Sequence, residues 1–118
     1  MASREEVASF LSTFIAKSKI LGIIFRGDRL KNRQTLADLE ITELQRNEEI
    51  LSLEVEHYSS GPDKDVLNKG EDMWVFGKRI KGKEIYIKIT LGGYDGRTFC
   101  ISFHIAERKM NYPFSEKK

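Results

Sequence analysis

Three stretches, Met73-Trp-Val-Phe-Gly-Lys-Arg-Ile80, Glu84-Ile-Tyr-Ile-Lys-Ile-Thr-Leu91 and Phe99-Cys-Ile-Ser-Phe-His-Ile105, change side-chain character with a period of two. Successive side chains of an extended chain point to opposite faces, so this alternation marks strands buried on one side. Lys81-Gly82 separates the first pair and Gly92-Gly93-Tyr94-Asp95-Gly96 the second, both with the composition of hairpin turns. The three stretches therefore predict an antiparallel meander. In the middle strand Ile85, Ile87 and Ile89 face one way, and Glu84, Tyr86, Lys88 and Thr90 the other. In the last strand Ile101, Phe103 and Ile105 oppose Cys100, Ser102 and His104. Burying both apolar faces together requires pairing of like parity, which makes Tyr86, Lys88, Ser102 and His104 neighbours. The tight turn pairs Ile80 with Lys83 and hence Phe76 with Ile87. That register sends Trp74 and Phe76 into the core and puts Arg79 on the face of Tyr86.

Ahead of the meander the pattern is helical. Ser3 can cap a helix with Glu5 and Glu6 at the positive end of its dipole. Val7, Phe10, Leu11, Phe14 and Ile15 form its apolar stripe, and Gly22 is a stop. Ile23-Ile24-Phe25 reads as a short strand and Arg26 to Arg33 as a polar loop. Leu36 and Leu39 suggest a short helix. Thr42 with Gln45 forms a capping box for another that runs toward Ile50 and Leu51. Leu53, Val55 and His57 alternate as in a strand, and Ser59-Ser60-Gly61-Pro62-Asp63 then breaks the pattern. The polar segment to Asp72, with its single apolar pair Val66-Leu67, reads as a long mobile loop. The expected fold class is α+β, N-terminal helices packed on a C-terminal antiparallel sheet, in a single domain spanning 1–118.

At 118 residues the chain has enough apolar content, 40%, for one core, and seven Phe, four Tyr and one Trp argue against disorder. Cys100 is the only cysteine, which excludes an intrachain disulfide and a thiolate metal cage and fits a reducing compartment. Two distant histidines supply no metal-ligand spacing, so neither a metal nor another cofactor is expected. Ser3-Arg4-Glu5-Glu6 stands where a secretory leader needs a basic and then apolar run, and no run of about 18 apolar residues is present. A cytoplasmic protein without membrane attachment is expected. Residues 1–71 hold ten Lys/Arg against thirteen Asp/Glu, a charge of −3. Residues 72–118 hold ten against five, a charge of +5. Such asymmetry suits an anionic partner where the charges cluster.

The open face of the meander carries a phenol, an imidazole, an ammonium and a guanidinium: Tyr86, His104, Lys88 and Arg79. Lys78, Lys81, Lys83, Arg97 and Arg108 flank it as candidate RNA-binding residues. Taken singly, Tyr86 reads as sheet cover, Lys88 as a solubilising charge and the hairpin lysines as an ordinary turn. Together on one face they match the needs of RNA cleavage, in which a ribose 2′-hydroxyl attacks its adjacent phosphate. That reaction requires a base, an acid for the leaving oxygen, and cations for the phosphorane. An imidazole with an ordinary pKa near 6.5 serves in either protonation state, and Arg79 suits phosphate oxygens in pairs. A non-catalytic RNA- or protein-binding module is the alternative. The tail ends near Tyr112-Pro113-Phe114, which is expected to tuck back onto the body.

The stretch Trp74 to Thr90, followed by Cys100-Ile-Ser-Phe-His104, resembles the MqsR family of bacterial type II toxins, which are RelE-like mRNA interferases. The likeness covers roughly the last 45 residues. It implies a RelE-like fold, endoribonuclease activity in a toxin-antitoxin system, an RNA substrate and a cognate antitoxin protein as partner. Tyr86 matches the functional tyrosine of that family. His104 stands where MqsR proteins carry lysine after Ser-Phe, and Val75-Phe76 replaces a Gln-Asp pair after the tryptophan. The lysine those proteins carry before a central Tyr-Ser is replaced by residues around Leu53 and Glu54.

Overall fold

The computed structural model describes residues 1–27, 29–65, 70–92 and 96–115. Ser3 and Glu6 form a reciprocal capping box that opens α1 (Arg4–Leu21), and Gly22, at φ 80°, ends it. β1 (Ile23–Phe25) follows, then α2 (Arg29–Leu39) and α3 (Glu43–Leu51), the last opened by the expected Thr42/Gln45 box. A 3₁₀ turn at Val55–His57 leads into β2 (Tyr58–Asp65), β3 (Gly70–Ile80), β4 (Lys83–Leu91) and β5 (Thr98–Ile105). The chain is thus α+β, with three helices packed on one five-stranded sheet ordered β1-β5-β4-β3-β2.

The β3–β4 pairing follows the expected register, with Ile80 opposite Lys83 and Phe76 opposite Ile87. Between β4 and β5, Ile85 pairs Ile105, Tyr86 pairs His104, Ile87 pairs Phe103 and Lys88 pairs Ser102. Phe76, Ile80, Ile85, Ile87, Ile89 and Phe103 are buried on one face of the sheet. Val7, Phe10, Leu11 and Phe14 of α1, Leu39 of α2 and Ile50 of α3 complete that core. Phe10 stacks on Trp74 with centroids 4.5 Å apart, so the tryptophan belongs to the core side as its parity requires.

Four expectations are corrected. First, a bulge after Lys88 lets Ile89 pair Cys100, with Ile101 as the extra residue. Cys100 therefore turns into the core, 1% exposed, instead of sharing the face of Ser102 and His104. Second, residues 53–57 are no strand, because the Glu54 N–H donates to His57 Nδ1 at 2.9 Å and closes the 3₁₀ turn. Strand β2 lies instead in the segment expected to be loop. It tolerates Gly61 and Pro62 because it forms the sheet edge and pairs β3 with three register shifts. Third, α2 begins inside the basic run expected to be loop, whose charged side chains occupy its exposed turns while Thr35 and Leu39 are buried. Fourth, the sheet is mixed, because β1 pairs β5 in parallel. Val66-Leu67 and the centre of the expected Gly92–Gly96 turn lie outside the described residues.

If the two faces are assigned correctly, Ile87→Ala lowers unfolding free energy by about 2–5 kcal/mol, while Lys88→Ala stays within about 0.5 kcal/mol. Urea denaturation measures both, and comparable losses would contradict the assignment.

Candidate functional site on the open sheet face

The face turned away from the helices presents Val75, Gly77 and Arg79 from β3, Glu84, Tyr86, Lys88 and Thr90 from β4, and Ser102 and His104 from β5. Directly opposed on adjacent strands, Tyr86 and His104 stack with ring centroids 5.1 Å apart and planes 13° from parallel. Lys88, two residues along, holds its ammonium 6.0 Å from the centroid of the Tyr86 ring. His104 Nδ1 lies 2.9 Å from the Ile105 carbonyl oxygen. A carbonyl only accepts, so Nδ1 carries the hydrogen, and Nε2 of the neutral ring is left as the proton acceptor.

The C-terminal segment walls this face. After β5 the chain turns back, and residues 110–112 cross β4 and β3. The Tyr112 hydroxyl donates to Glu84 Oε2 at 2.9 Å, and the Met110 N–H donates to Glu84 Oε1 at 3.4 Å. Gly77 leaves the room for this crossing, since a Cβ there would run into the Tyr112 hydroxyl and the Met110 thioether. Phe114 then stacks on Tyr58 at 5.5 Å, and its carbonyl accepts from the Arg4 guanidinium at 3.4 Å. The tail therefore does tuck back, as a belt that reaches α1. Burial and the hydrogen bond to Glu84 both raise the pKa of Tyr112, which keeps the phenol protonated as the donor.

Between belt and sheet lies a cavity of about 510 Å³, lined by Tyr86, Lys88, Ser102 and His104 below, Ser59 and Ser60 at one side, and residues 107–111 above. The four residues brought together by parity thus share one concave site of ligand size. Of the other residues named from sequence, Arg108 lines the cavity and Lys83 is exposed at the β3–β4 turn. Arg79 lies outside it. Its guanidinium donates to the Gly82 carbonyl at 3.1 Å, and it lines a separate cavity that shares only Met110 and Asn111 with the first. Lys78 projects from the opposite face and binds Glu49 at 2.8 Å. Lys81 donates to the Glu40 carbonyl at 3.1 Å, and Arg97 lies at the far end of β5. Lys109, Asn111 and the two serines of β2 were not singled out from sequence, because no local pattern shows where an irregular tail or edge strand comes to rest.

The remaining reactive groups serve structure. Burial pushes the Cys100 thiol up to about 12, and the thiol donates to the Ser102 carbonyl. His57, as the acceptor that closes the 3₁₀ turn, is held below its ordinary pKa by burial first and by nearby Lys78 second. Among the described residues no group of three or more His, Cys, Asp or Glu could hold a metal ion, and no helix is long and apolar enough to cross a membrane. The chain matches no protein-family model, no curated protein and no solved structure.

Two outcomes follow from these burials. The unfolded state takes up a proton at His57 more readily than the folded one. The contribution of His57 is therefore complete above the unfolded pKa near 6.5 and is lost as pH falls through that value toward the folded pKa. Urea midpoints of wild type should fall more steeply between pH 7 and 5 than those of His57→Gln, and parallel slopes would contradict the cap. Folded protein should leave Cys100 unmodified by a thiol reagent over minutes, with full labelling in denaturant; fast labelling of folded protein would contradict its burial.

Proposed function

We propose that the chain is an endoribonuclease of the mRNA interferase type, a toxin held in check by a cognate antitoxin, with the stacked Tyr86–His104 pair as its reacting centre. The observation that carries this reading is the placement of His104: its ring stacks on Tyr86 in the cavity, and its Nδ1 lies 2.9 Å from the Ile105 carbonyl oxygen. With Nδ1 donating to that carbonyl, Nε2 is the nitrogen that can accept a proton. In the reaction His104 Nε2 takes the proton of a ribose 2′-hydroxyl as its oxygen attacks the adjacent phosphorus. The P–O5′ bond breaks, the leaving oxygen acquires a proton, and the products are a 2′,3′-cyclic phosphate and a 5′-hydroxyl.

Tyr86, stacked on His104 and lining the same cavity, holds its phenol where it can supply the second proton. Lys88, beside it, stabilises charge on the phosphorane, and Arg108 adds a cation at the rim. The sequence assigned Arg79 to that charge role. Its position beyond the belt leaves the task to Lys88 and Arg108. The resemblance of Trp74 to Thr90 and Cys100 to His104 to MqsR toxins points the same way, with histidine in place of lysine shifting the last strand from charge stabilisation to proton transfer.

The purified protein should cut a single-stranded RNA to fragments with cyclic phosphate ends. His104→Ala should lower kcat/KM by about 10²–10⁴, and Tyr86→Phe should lower it with little change in RNA binding. Cleavage unchanged in His104→Ala would exclude the mechanism. Salt-sensitive RNA binding without cleavage in wild type would favour the non-catalytic module.

A further inference from the structure

The bulge at Ile101 has an effect beyond the burial of Cys100. It restores Phe99 to the open face, opposite Thr90 and on the same side as Ser102 and His104. Phe99 is half-buried, and Arg26, directly after β1, lays its guanidinium over the ring with Cζ 3.9 Å from the centroid. The Arg26 backbone is held on several sides. Its N–H donates to the Cys100 carbonyl at 2.9 Å, and its carbonyl accepts from the Asn32 side-chain amide at 3.3 Å. Gly27, at φ 93°, lies so close to the Ile101 carbonyl that a Cβ would collide with it. The backbone is fixed, the guanidinium is fixed against an aromatic ring, and the side chain is exposed. Among the described residues it makes no hydrogen bond or ion pair.

We infer that Arg26, positioned by Phe99, is a phosphate-binding subsite for a nucleotide flanking the one cleaved at His104. A guanidinium held over a ring by its carbon spends none of its N–H donors on that contact and keeps them for phosphate oxygens, which it can bind in pairs. Its stem costs little further entropy to order, because the stacking has already restricted it. Phe99 and His104 are five residues apart on β5, roughly 16 Å at about 3.3 Å per residue, so the phosphate at Arg26 is not the scissile one. The strand would run along β5 from the cavity toward β1, over Ser102 and the bulge.

The assignment of His104 as the cleaving end rests on the proposed function, but binding at Arg26 does not. The test uses an octaribonucleotide with 2′-O-methyl groups, which cannot be cleaved, and a 2′-O-methyl dinucleoside monophosphate, whose single phosphate is the scissile one. Arg26→Ala should weaken octamer binding about tenfold and reduce the slope of log K against log salt by about one, while leaving the dinucleoside unaffected. Phe99→Leu should weaken the octamer in the same direction, and Arg26→Lys should keep the salt slope. Both Arg26 variants replace an exposed side chain and should unfold at the wild-type temperature. Equal losses on both ligands, or octamer binding unchanged in Arg26→Ala, would overturn the subsite, as would absence of octamer binding by wild type. If wild type binds the octamer through Arg26 but leaves the unmodified RNA intact, the subsite stands and the nuclease reading falls.

Discussion

The pairing of Tyr86 with His104, and the single extra residue that precedes it on β5, determine what each face of the sheet carries. From Ile105 back to Ser102 the two strands keep like parity, so Ile85 and Ile87 meet the apolar partners Ile105 and Phe103 on the helix side. At Ile101 the parity changes. Without the bulge Phe99 would enter the core and Cys100 would face solvent; with it the small thiol is buried next to Ile89 and the large ring faces outward. One inserted residue thus keeps the core closed with a smaller side chain and extends the open face by an aromatic platform. A slip of one residue in either direction would turn one strand over relative to the other and send Tyr86 or His104 toward the helices.

An open sheet face presents its side chains but does not enclose a ligand, and enclosure here comes from the belt. Its placement depends on two residues of different kinds. Gly77 supplies a gap in the row Gly77–Tyr86–His104, and Glu84 supplies both acceptors that hold Met110 and Tyr112 over that gap. The same crossing separates Arg79 from the stacked pair, although strand parity places both on one side. Parity therefore specifies a shared face, and the belt decides which residues on that face share a cavity.

How much of this was legible in the sequence follows from the range of each interaction. The Ser3 cap, the Thr42/Gln45 capping box, the turn at Lys81-Gly82 and the alternation in β4 are local, and each appears as expected. The grouping of Tyr86, Lys88, Ser102 and His104 was also legible, because burying two isoleucine-rich faces together leaves one parity. Three features were not. The bulge has no signature in Phe99-Cys-Ile-Ser, since both Cys and Ile suit a core. Strand β2 was read as loop because Gly61 and Pro62 oppose strand structure everywhere except at an edge, and edge position is a property of the whole sheet. Arg26 read as part of a polar loop because its ring partner lies 73 positions further on.

The charge asymmetry between the two parts of the sequence becomes, in the fold, an asymmetry between faces. Two cations of the basic part are neutralised or hydrogen-bonded on the helix side: Lys78 by Glu49 of α3, and Lys81 by the carbonyl of Glu40. Glu107, the carboxylate at the cavity rim, is bound by Lys31 of α2, which lowers its pKa and takes up its charge. Lys88, Arg108 and Lys109 make no ion pair among the described residues and line the cavity, and Arg26 stands along the same strand toward β1. Acidic α3 draws positive charge away from one face, and Lys31 of the basic α2 cancels negative charge at the edge of the other. A chain with a net charge of only +2 thereby keeps cations clustered along the face on which the proposed RNA would lie, where a Debye length of about 8 Å at physiological salt lets clustered charge act.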